Sequence, residues 1–197
     1  MIDSDKERKS ILPSVKLFEK TNESWEAVKD SIQVLNSELL SFTNDEPLLG
    51  SLVDGEYVTS YPSWKDAFLS EDTTILLMED GRSGKVIGYT FAIPEGKLDP
   101  RRAGEIDTAY IYATAIEKEH QGQGLVGKLT DALFKELAKN GYMFVERDAM
   151  VGGGYADSIQ RHYASFIIGE PFDYDPFGEG LERHFRIDAQ EYVAQLK

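Results

Sequence analysis

The chain has 197 residues, 41% of them hydrophobic and 28% charged, a balance typical of a globular protein with a sizeable core. Its 35 acidic and 21 basic residues give a net charge of -14, which repels nucleic-acid backbones and anionic membrane surfaces. There is no cysteine, which excludes disulfides, thiolate-bound metals and acyl-cysteine intermediates. No apolar run is long enough to span a bilayer, so we expect a cytoplasmic protein that binds neither nucleic acid nor membrane.

The sequence reads as a single domain over residues 1–197, with residues 1–12 as a flexible N-terminal extension. Hydrophobic periodicity in the first half predicts a strand, two helices and a hairpin of two strands. These are a strand at Val15–Phe18, a helix with Trp25, Val28, Ile32, Leu35 and Leu39 on one face, a helix at Ser63–Leu69, and strands at Thr73–Met78 and Val86–Ile93. Residues 43–61 lack a regular pattern and are predicted to form a long loop, whose length suggests a functional role.

The second half predicts a strand-helix-strand unit followed by a further helix and strand. The strand candidate Thr108–Ile116 alternates regularly, with Tyr110, Tyr112, Thr114 and Ile116 on one face and Ala109, Ile111, Ala113 and Ala115 on the other. The small face is expected to allow close approach by another group. The remaining elements are a helix from Leu125 to Leu137, a strand from Tyr142, a helix at Asp157–Phe166 and a strand at Leu181–Ile187.

The most informative stretch is Glu117–Lys128, which lies between a predicted strand and an amphipathic helix. Gly122, Gly124 and Gly127 let the backbone bend sharply and direct several N–H groups to one place. The helix N-terminus that follows adds partial positive charge. We therefore expect an anion-binding cradle, the alternative being a turn that only reverses the chain.

The same glycines match the spacing of the dinucleotide-binding fingerprint, with Glu146 and Asp148 at about the distance expected for a ribose contact. In that fold the first glycine follows the strand almost directly. Here the polar residues Glu117–Gln121 intervene, and a hairpin comes before the strand. The context therefore argues against a dinucleotide site.

The segment Gln121-Gly122-Gln123-Gly124-Leu125-Val126 resembles the signature of the GNAT superfamily of acyl-CoA-dependent N-acetyltransferases. That signature is Arg or Gln, two residues, Gly, one residue, then Gly or Ala, so Val126 departs from it, and Gly127 follows directly. The order of the predicted elements resembles the family as well. The resemblance implies an α/β fold with a mixed, mostly antiparallel sheet flanked by helices, in the order β-α-α-β-β-β-α-β-α-β-β.

The resemblance further implies acetyl-CoA as the co-substrate and no metal. The residues that would bind it around the signature are Gln121, Gly122, Gln123, Gly124, Leu125, Val126, Gly127 and Lys128. Backbone amides from Gly122 to Gly127 would hold the pyrophosphate, and Lys128 would add a charge contact. The pantetheine arm would pair like an extra strand with Thr114, Ala115 and Ile116.

Family members often use a tyrosine on the helix after the signature unit to protonate the departing thiolate. Tyr163 is the candidate for this acid, with His162 as the alternative. The family often carries a glutamate eleven positions ahead of its Arg or Gln, where this chain has Tyr110, so another group must accept the proton of the amine. The carboxylate candidates are Asp107 and Asp148, with Glu105 and Glu146 as substitutes.

Three other features have ordinary interpretations. Trp25 and Trp64 lie at helical core spacing, so we expect both to pack in the core, with contact to substrate as the alternative. His120 and His184 lack a suitably spaced second histidine or cysteine, so we expect surface or partly packed side chains. The basic pair Arg101-Arg102 is expected in a solvated loop, with a contact to the adenosine phosphate of coenzyme A as the alternative.

The hypothesis is therefore an N-acetyltransferase that moves acetyl from acetyl-CoA to a primary amine by direct transfer in a ternary complex. A non-catalytic acyl-CoA-binding module is the alternative, and a nicotinamide-dependent enzyme is a weaker one. Acidic residues are concentrated at the two ends of the chain, which predicts a cationic small molecule or basic peptide as acceptor, with a role in solubility alone as the alternative. Those expected to border the acceptor are Asp45, Glu46, Asp54, Glu56, Glu170, Asp173, Asp175 and Glu179. The chain is also a candidate homodimer.

Overall fold

The computed structural model describes residues 12–39, 49–53, 56–175 and 180–196. Its main sheet has seven strands in the order β1-β4-β5-β6-β7-β9-β8, and β2 and β3 pair separately. The strands are β1 Ser14–Leu17, β2 Leu49–Val53, β3 Glu56–Tyr61, β4 Thr74–Glu79, β5 Val86–Pro94, β6 Thr108–Ile116, β7 Phe144–Met150, β8 Phe172–Tyr174 and β9 Glu182–Asp188. Every pairing in the main sheet is antiparallel except that of β6 with β7.

Helices cover both faces of this sheet. They are α1 Asn22–Leu39, α2 Trp64–Leu69, α3 Glu95–Leu98, α4 Leu125–Lys139, α5 Tyr155–His162 and α6 Ala189–Gln195. The predicted α/β class, a mostly antiparallel sheet flanked by helices, is confirmed. The short helices α3 and α6 and the separate hairpin of β2 and β3 are additions to the predicted order.

Two hydrophobic cores lie on opposite faces of the sheet, one under α1 and α2 and the other under α4, α5 and α6. Strands β4 and β5 are buried almost throughout because both of their faces are covered. Phe68 of α2 is fully buried in the first core, with its ring 5.3 Å from Phe18 and 5.2 Å from Trp25. Trp64 packs there as well, so both tryptophans have the packing role predicted from their helical spacing.

The stretch predicted as a long loop contains the β2–β3 hairpin instead. A hydrogen-bonded contact joins the hairpin to the sheet, because the Tyr112 hydroxyl lies 3.3 Å from the Gly50 carbonyl oxygen. The prediction was wrong because the short hairpin has too little regular alternation to be recognised without its partner. Of the acidic residues expected there, Asp45, Glu46 and Asp54 lie outside the described residues, as do Glu179 and residues 1–11 of the predicted extension.

The helix predicted at Asp157–Phe166 begins earlier and ends earlier, at Tyr155–His162. It ends early because β9 takes over the backbone hydrogen bonds of the next residues. Asp188 N donates to Phe166 O at 2.8 Å, and Ile168 N donates to Arg186 O at 2.8 Å. Tyr163 therefore lies just beyond the helix rather than within it.

The regular alternation predicted for β6 is interrupted by a β-bulge. Phe91 of β5 faces Ala113 while the next residue, Ala92, faces Ile111, which leaves Tyr112 as the extra residue. The bulge brings Tyr112, Ala113 and Ala115 to the α1 side of the sheet, with Ile116 on the α4 side. Ala113 and Ala115 are therefore on the same face as the tyrosines, and only Ala109 lies on the opposite face as predicted.

Strands β6 and β7 part after a short paired region. They pair only from Thr108 to Tyr110 and from Phe144 to Glu146, after which each strand continues apart from the other. The rest of β6 stays paired with β5, and β7 stays paired with β9. The result is a wedge-shaped opening inside the sheet, closed at Tyr110 and Glu146, which we call the apex.

A cluster of ion pairs clamps the closed end of this opening. Both Nη atoms of Arg102 donate to the Glu146 carboxylate, at 2.7 and 2.8 Å, and Arg186 Nη1 donates to the same group at 2.5 Å. Arg102 also binds Glu95 at 2.6 Å and Glu105 at 2.7 Å. Arg102, expected in a solvated loop, is therefore a partner of Glu146 in this cluster, and the Glu146 side chain is only 2% exposed.

Glu95 is a member of the cluster whose carboxylate is only partly hydrogen-bonded. Its Oε1 binds Arg102, but its buried Oε2 has no hydrogen-bond partner among the described residues. Burial raises the pKa of Glu95 to about 7, although the charge of Arg102 opposes the shift. Glu105 shows the opposite shift, because hydrogen bonds from Arg102 and Arg186 lower its pKa to about 2.

We expect Phe68→Ala to lower the free energy of unfolding by about 3–5 kcal/mol, because it removes a buried ring from the centre of a core. Phe172→Ala is the matched control, since Phe172 is 57% exposed, and it should cost much less. Urea denaturation of both variants measures the difference. Equal losses would contradict this account of the core.

We expect Glu95→Gln to flatten the pH dependence of stability. Because the folded pKa of Glu95 is raised, its contribution to stability is complete below about pH 4.5 and is lost as the pH rises through about 7. Relative to the variant, the wild type should lose roughly 2–3 kcal/mol of unfolding free energy between pH 4.5 and 8.

Glu105→Gln is the control for this experiment, because Glu105 binds the same arginine with a pKa of about 2. Its contribution is complete above its unfolded pKa and is lost only as the pH falls toward 2, so this variant should keep the wild-type slope above about pH 5. Denaturation curves across this pH range provide the measurement. A wild-type slope in Glu95→Gln would show that Glu95 is ionised throughout.

Candidate active site

The glycine-rich loop joins the open end of β6 to the start of α4. A short 3-10 turn, Lys118–His120, follows β6, and the chain then passes through Gly122 and Gly124 in left-handed conformations with φ of +75° and +73°. Non-glycine residues rarely adopt this conformation, so the two glycines are what allow the loop to take this path. Gly124 is also the residue before α4, and no side chain caps the helix there.

The N–H groups of this loop are free to bind a ligand. Among the described residues, none of the backbone N–H groups from Gly122 to Gly127 donates to a protein acceptor. A methyl group added at Gly122, Gly124 or Gly127 would meet nothing within 4 Å, so the space in front of the loop is open. Unpaired N–H groups at the positive end of a helix are suited to a phosphate or diphosphate group.

The side chains of the loop support the backbone. Gln121 Nε2 donates to Ile116 O at 2.9 Å, and Gln123 Nε2 donates to Glu119 O at 3.3 Å. Leu125 is buried in the core under α4, which fixes the start of the helix, and Val126 is packed against that core. Lys128 is exposed in the first helical turn. The signature therefore offers backbone donors, with Lys128 beside them.

The open edge of β6 leads from this loop to the apex. Residues 111–116 pair with β5 on one side but with no described strand on the side facing β7. Thr114, Ala115 and Ile116, predicted to pair with the cofactor arm, lie on this edge, and the Thr114 hydroxyl is 2.8 Å from that of Thr90. An extended ligand could pair here as an added strand does at a sheet edge.

Strand β7 presents opposite charges on its two faces just beyond the apex. Arg147 follows the last paired residue, Glu146, and contacts Tyr155 of α5. Asp148 comes next and contacts Tyr110. Because successive side chains of a strand point to opposite faces, the cation lies on the α4–α5 side and the carboxylate on the other side.

The Asp148 carboxylate is held by three polar side chains. Tyr110 Oη and Tyr174 Oη donate to Asp148 Oδ2 at 2.5 and 2.6 Å, and His184 Nδ1 lies 2.8 Å from Asp148 Oδ1. Burial raises the pKa of the Asp148 carboxyl, but these hydrogen bonds outweigh it and hold the pKa below its usual value. Asp148 is therefore ionised at neutral pH.

His184 lies between two carboxylates. Its Nε2 is 3.5 Å from Glu146 Oε2, in addition to the contact of Nδ1 with Asp148. Burial lowers the pKa of His184, but the two carboxylates outweigh it and raise the pKa above the usual value. The imidazole therefore keeps its proton to a higher pH than an ordinary histidine, beside the ionised Asp148 carboxylate.

Tyr163 lies on the opposite side of the sheet from Asp148. It is 3% exposed, and its ring stacks on Phe134 of α4 with centroids 5.4 Å apart. Burial raises the pKa of Tyr163 to about 12, against the effect of the nearby charge of Arg147. The alternative acid, His162, is exposed, and its Nε2 lies 3.0 Å from the Tyr192 hydroxyl.

Asp107 is not part of the Asp148 network. It precedes β6 and lies three positions, or about 10 Å of strand, before Tyr110. Its carbonyl oxygen accepts from Met143 N at 2.8 Å and Phe144 N at 3.1 Å, so the backbone of Asp107 joins the start of β7 to β6. Glu105 and Glu146, the other substitutes, belong to the ion-pair cluster.

The roles of His184, Tyr174 and Arg147 in this region were not predicted from the sequence. The available signal was the last strand, where polar Glu182, His184 and Arg186 alternate with apolar Phe185 and Ile187. That pattern indicates one polar face, but the partners become visible only in the register that puts His184 opposite Asp148. Within the described ranges there is no cluster of three or more potential metal ligands, and no helix there is long and apolar enough to cross a membrane.

Comparisons with solved structures give similar folds at low sequence identity. The chain is 19% identical to yncA of Salmonella typhimurium, solved with its cofactor acetyl-CoA, with a TM-score of 0.59 over 89% of this chain and 92% of that one. It is 14% identical to the spermidine/spermine N-acetyltransferase SpeG of Vibrio cholerae, with a TM-score of 0.60 over 93% and 97%. An N-acetyltransferase of Staphylococcus aureus Mu50 gives 13% identity and a TM-score of 0.59 over 90% and 99%.

A search of curated proteins gives no match. The family model described as the acetyltransferase (GNAT) family, however, matches residues 37–150, which is more than half of the chain. This range contains β6, the glycine-rich loop, α4 and β7, the elements that build the site. The predicted resemblance is therefore confirmed, and the chain belongs to the GNAT acetyltransferase family.

Proposed function

We propose that this protein transfers an acetyl group from acetyl-CoA to a primary amine by direct attack in a ternary complex. The observation that carries the proposal is the opening between β6 and β7, which joins the free N–H groups of residues 122–127 to the charged apex. Family membership supports the acetyl transfer, and the similar Salmonella structure that contains acetyl-CoA supports the choice of donor.

The residues present fit the cofactor. In this proposal the N–H groups of residues 122–127 bind the diphosphate, Lys128 adds a charge contact, and the edge at Thr114–Ile116 binds the pantetheine arm. Acetyl-CoA supplies an acetyl group activated as a thioester. The chain itself contributes binding, orientation and the movement of protons.

The Asp148 network is proposed to receive the amine. An amine arrives as an ammonium ion and must lose a proton before its nitrogen can attack. Asp148, ionised and held in place, attracts the ammonium, and the proton passes to His184 in the molecules whose imidazole is neutral. The carboxylate that the family often carries on β6 is thus replaced by one on β7, 2.5 Å from the Tyr110 hydroxyl.

Tyr163 is proposed as the acid on the opposite side. With a pKa of about 12 it stays protonated until a strong base forms beside it, which is the requirement for protonating a departing thiolate. Asp107 is less suited than Asp148 to act as the base, because it has no contact with the network around the apex.

A cationic acceptor is proposed because the face of the sheet that carries Asp148 has acidic side chains. Glu182 lies on the same face of β9 as His184, and burial, followed by the charges of Asp148 and Asp175, raises its pKa. The net charge of -14 adds a long-range field that attracts cations. Similarity to the spermidine/spermine N-acetyltransferase SpeG is compatible with such an acceptor. A homodimer and a cytoplasmic location remain predictions.

We expect Gly124→Ala to weaken acetyl-CoA binding at least tenfold, about 1.4 kcal/mol, because it strains the loop and fills part of the phosphate space. Gly141→Ala is the matched control: Gly141, just beyond the other end of α4, has φ of +93° and open space in front of it. Both variants should lose similar stability, but only Gly124→Ala should bind acetyl-CoA more weakly in calorimetry. Equal affinities would argue against the proposed cradle.

We expect coenzyme A release with polyamines or basic peptides, and a fall in kcat/KM of at least about a hundredfold in Asp148→Asn. Asp72→Asn is the control, because Asp72 forms an exposed ion pair with Lys97 and lies outside the network. A thiol-release assay with cationic and neutral amines measures both effects. The kcat/KM for cationic acceptors should also fall as salt is added.

The same assay separates the proposed enzyme from the alternative. Tight acetyl-CoA binding with no thiol release above the control without acceptor would support a non-catalytic acyl-CoA-binding module, and would overturn the transferase proposal. Equal activity of Asp148→Asn and wild type would reject Asp148 as the group that receives the amine.

A further inference from the structure

Arg147 is a buried cation that has no anionic partner. The residue is 4% exposed, and no carboxylate among the described residues lies within ion-pair distance of it. Its Nη2 donates to Tyr155 Oη at 2.7 Å, and its guanidinium lies over the Tyr155 ring at 5.5 Å. Its buried Nε has no hydrogen-bond partner in the described part of the chain. A phenol and an aromatic ring compensate a buried charge only in part.

The groups around Arg147 do not supply the missing anion. Tyr163 is close enough for the charge of Arg147 to lower its pKa, and Asp131 lies near the same hydroxyl. Asp131 is occupied, however, since it accepts the Tyr192 hydroxyl at 2.5 Å. His162 binds Tyr192 as well. The described surroundings of Arg147 are therefore phenols and one engaged carboxylate.

The position of Arg147 indicates which anion could reach it. It follows Glu146, the last residue paired with β6, and so lies at the apex. The glycine-rich loop lies beyond the other end of the open β6 edge. Residues 111–116, which form that edge, span about 17 Å in a strand and separate the loop from the apex. Arg147 is therefore remote from the phosphates of a cofactor held by the loop, and close to the end of an arm held along the edge.

We propose that Arg147 binds the sulfur of coenzyme A as a thiolate, on the leaving-group side of the reaction. This inference rests on the proposed function. When the amine nitrogen forms its bond to the acetyl carbon, the carbon–sulfur bond breaks and its electron pair remains on sulfur. The leaving group then carries one negative charge until it takes a proton, which Tyr163 supplies. Arg147 provides the opposite charge for that interval.

The test compares the binding of free coenzyme A and acetyl-CoA by the wild type, Arg147→Met and Arg147→Lys. Only free coenzyme A can form a thiolate, so the ratio of the two affinities isolates the contact with sulfur. An ordinary thiol ionises near pH 8.5. In the wild type, the affinity for coenzyme A divided by that for acetyl-CoA should rise between about pH 6 and 8. Ultraviolet absorbance should also show bound thiolate at a pH below that at which free coenzyme A ionises.

We expect Arg147→Met to lower the affinity ratio at pH 8 by about tenfold or more, and to return the ionisation of bound coenzyme A to that of the free thiol. Arg147→Lys keeps the charge and should retain most of the effect, which covers the case in which Arg147→Met does not fold. Arg161→Met is the matched control, because Arg161 is an exposed arginine on α5. It should leave the ratio unchanged.

Each other outcome is decisive. An unchanged ratio and thiolate spectrum in folded Arg147→Met would overturn the proposal, and so would an equal fall in Arg161→Met. A selective loss of succinyl-CoA binding with an unchanged ratio would instead assign Arg147 to an acyl carboxylate, and would also overturn it. If the wild type binds neither coenzyme A nor acetyl-CoA, the proposed function itself fails.

Discussion

The arrangement of the site depends on the clamp formed by Glu146 with Arg102 and Arg186. Glu146 is almost fully buried, and its carboxylate accepts hydrogen bonds from both arginines at the last pair between β6 and β7. A buried carboxylate with two cations is costly to separate, so the clamp fixes where the pairing ends. Beyond it the strands diverge, because β5 holds β6 and β9 holds β7. A sheet paired along its full length would leave no opening.

The opening gives the site its division of charge. Its outer end has the uncapped N-terminus of α4, where the N–H groups of residues 122–127 attract an anion. Its apex has Asp148 on one face of β7 and Arg147 on the other. The alternation of side chains along one strand thus separates an anionic face, suited to an incoming ammonium, from a cationic face, suited to a departing thiolate.

The whole-molecule charge and the local charges act at different ranges. The net charge of -14 extends into solvent, whereas the loop and Arg147 present positive potential only nearby. A polyanionic cofactor would therefore be bound by short-range hydrogen bonds to backbone donors, against the long-range field. A cationic acceptor would instead be attracted by that field.

The parts of the fold that the sequence predicted are those encoded by neighbouring residues. The helical face of Val28, Ile32 and Leu35, the Asp-Gly and Ser-Gly turn between β4 and β5, and the glycines of the loop are local patterns. They were sufficient for the fold class and the family.

The missed parts depend on distant residues. The bulge at Tyr112 is visible only against β5, and the contact of Asp148 with His184 depends on the β7–β9 register. Arg102 reads as a surface arginine until Glu95 and Glu146 are placed around it. The register of the sheet, and therefore the chemistry at the apex, could not be derived from local periodicity.

A crystal structure of the protein with bound coenzyme A is the most direct test of the central claim, that one opening in the sheet joins the cradle to the charged apex. The account predicts the diphosphate on the N–H groups of residues 122–127, the pantetheine arm paired along the open edge of β6, and the sulfur at the apex, on the Arg147 side of β7. Coenzyme A bound elsewhere, or with its sulfur directed away from the apex, would contradict it.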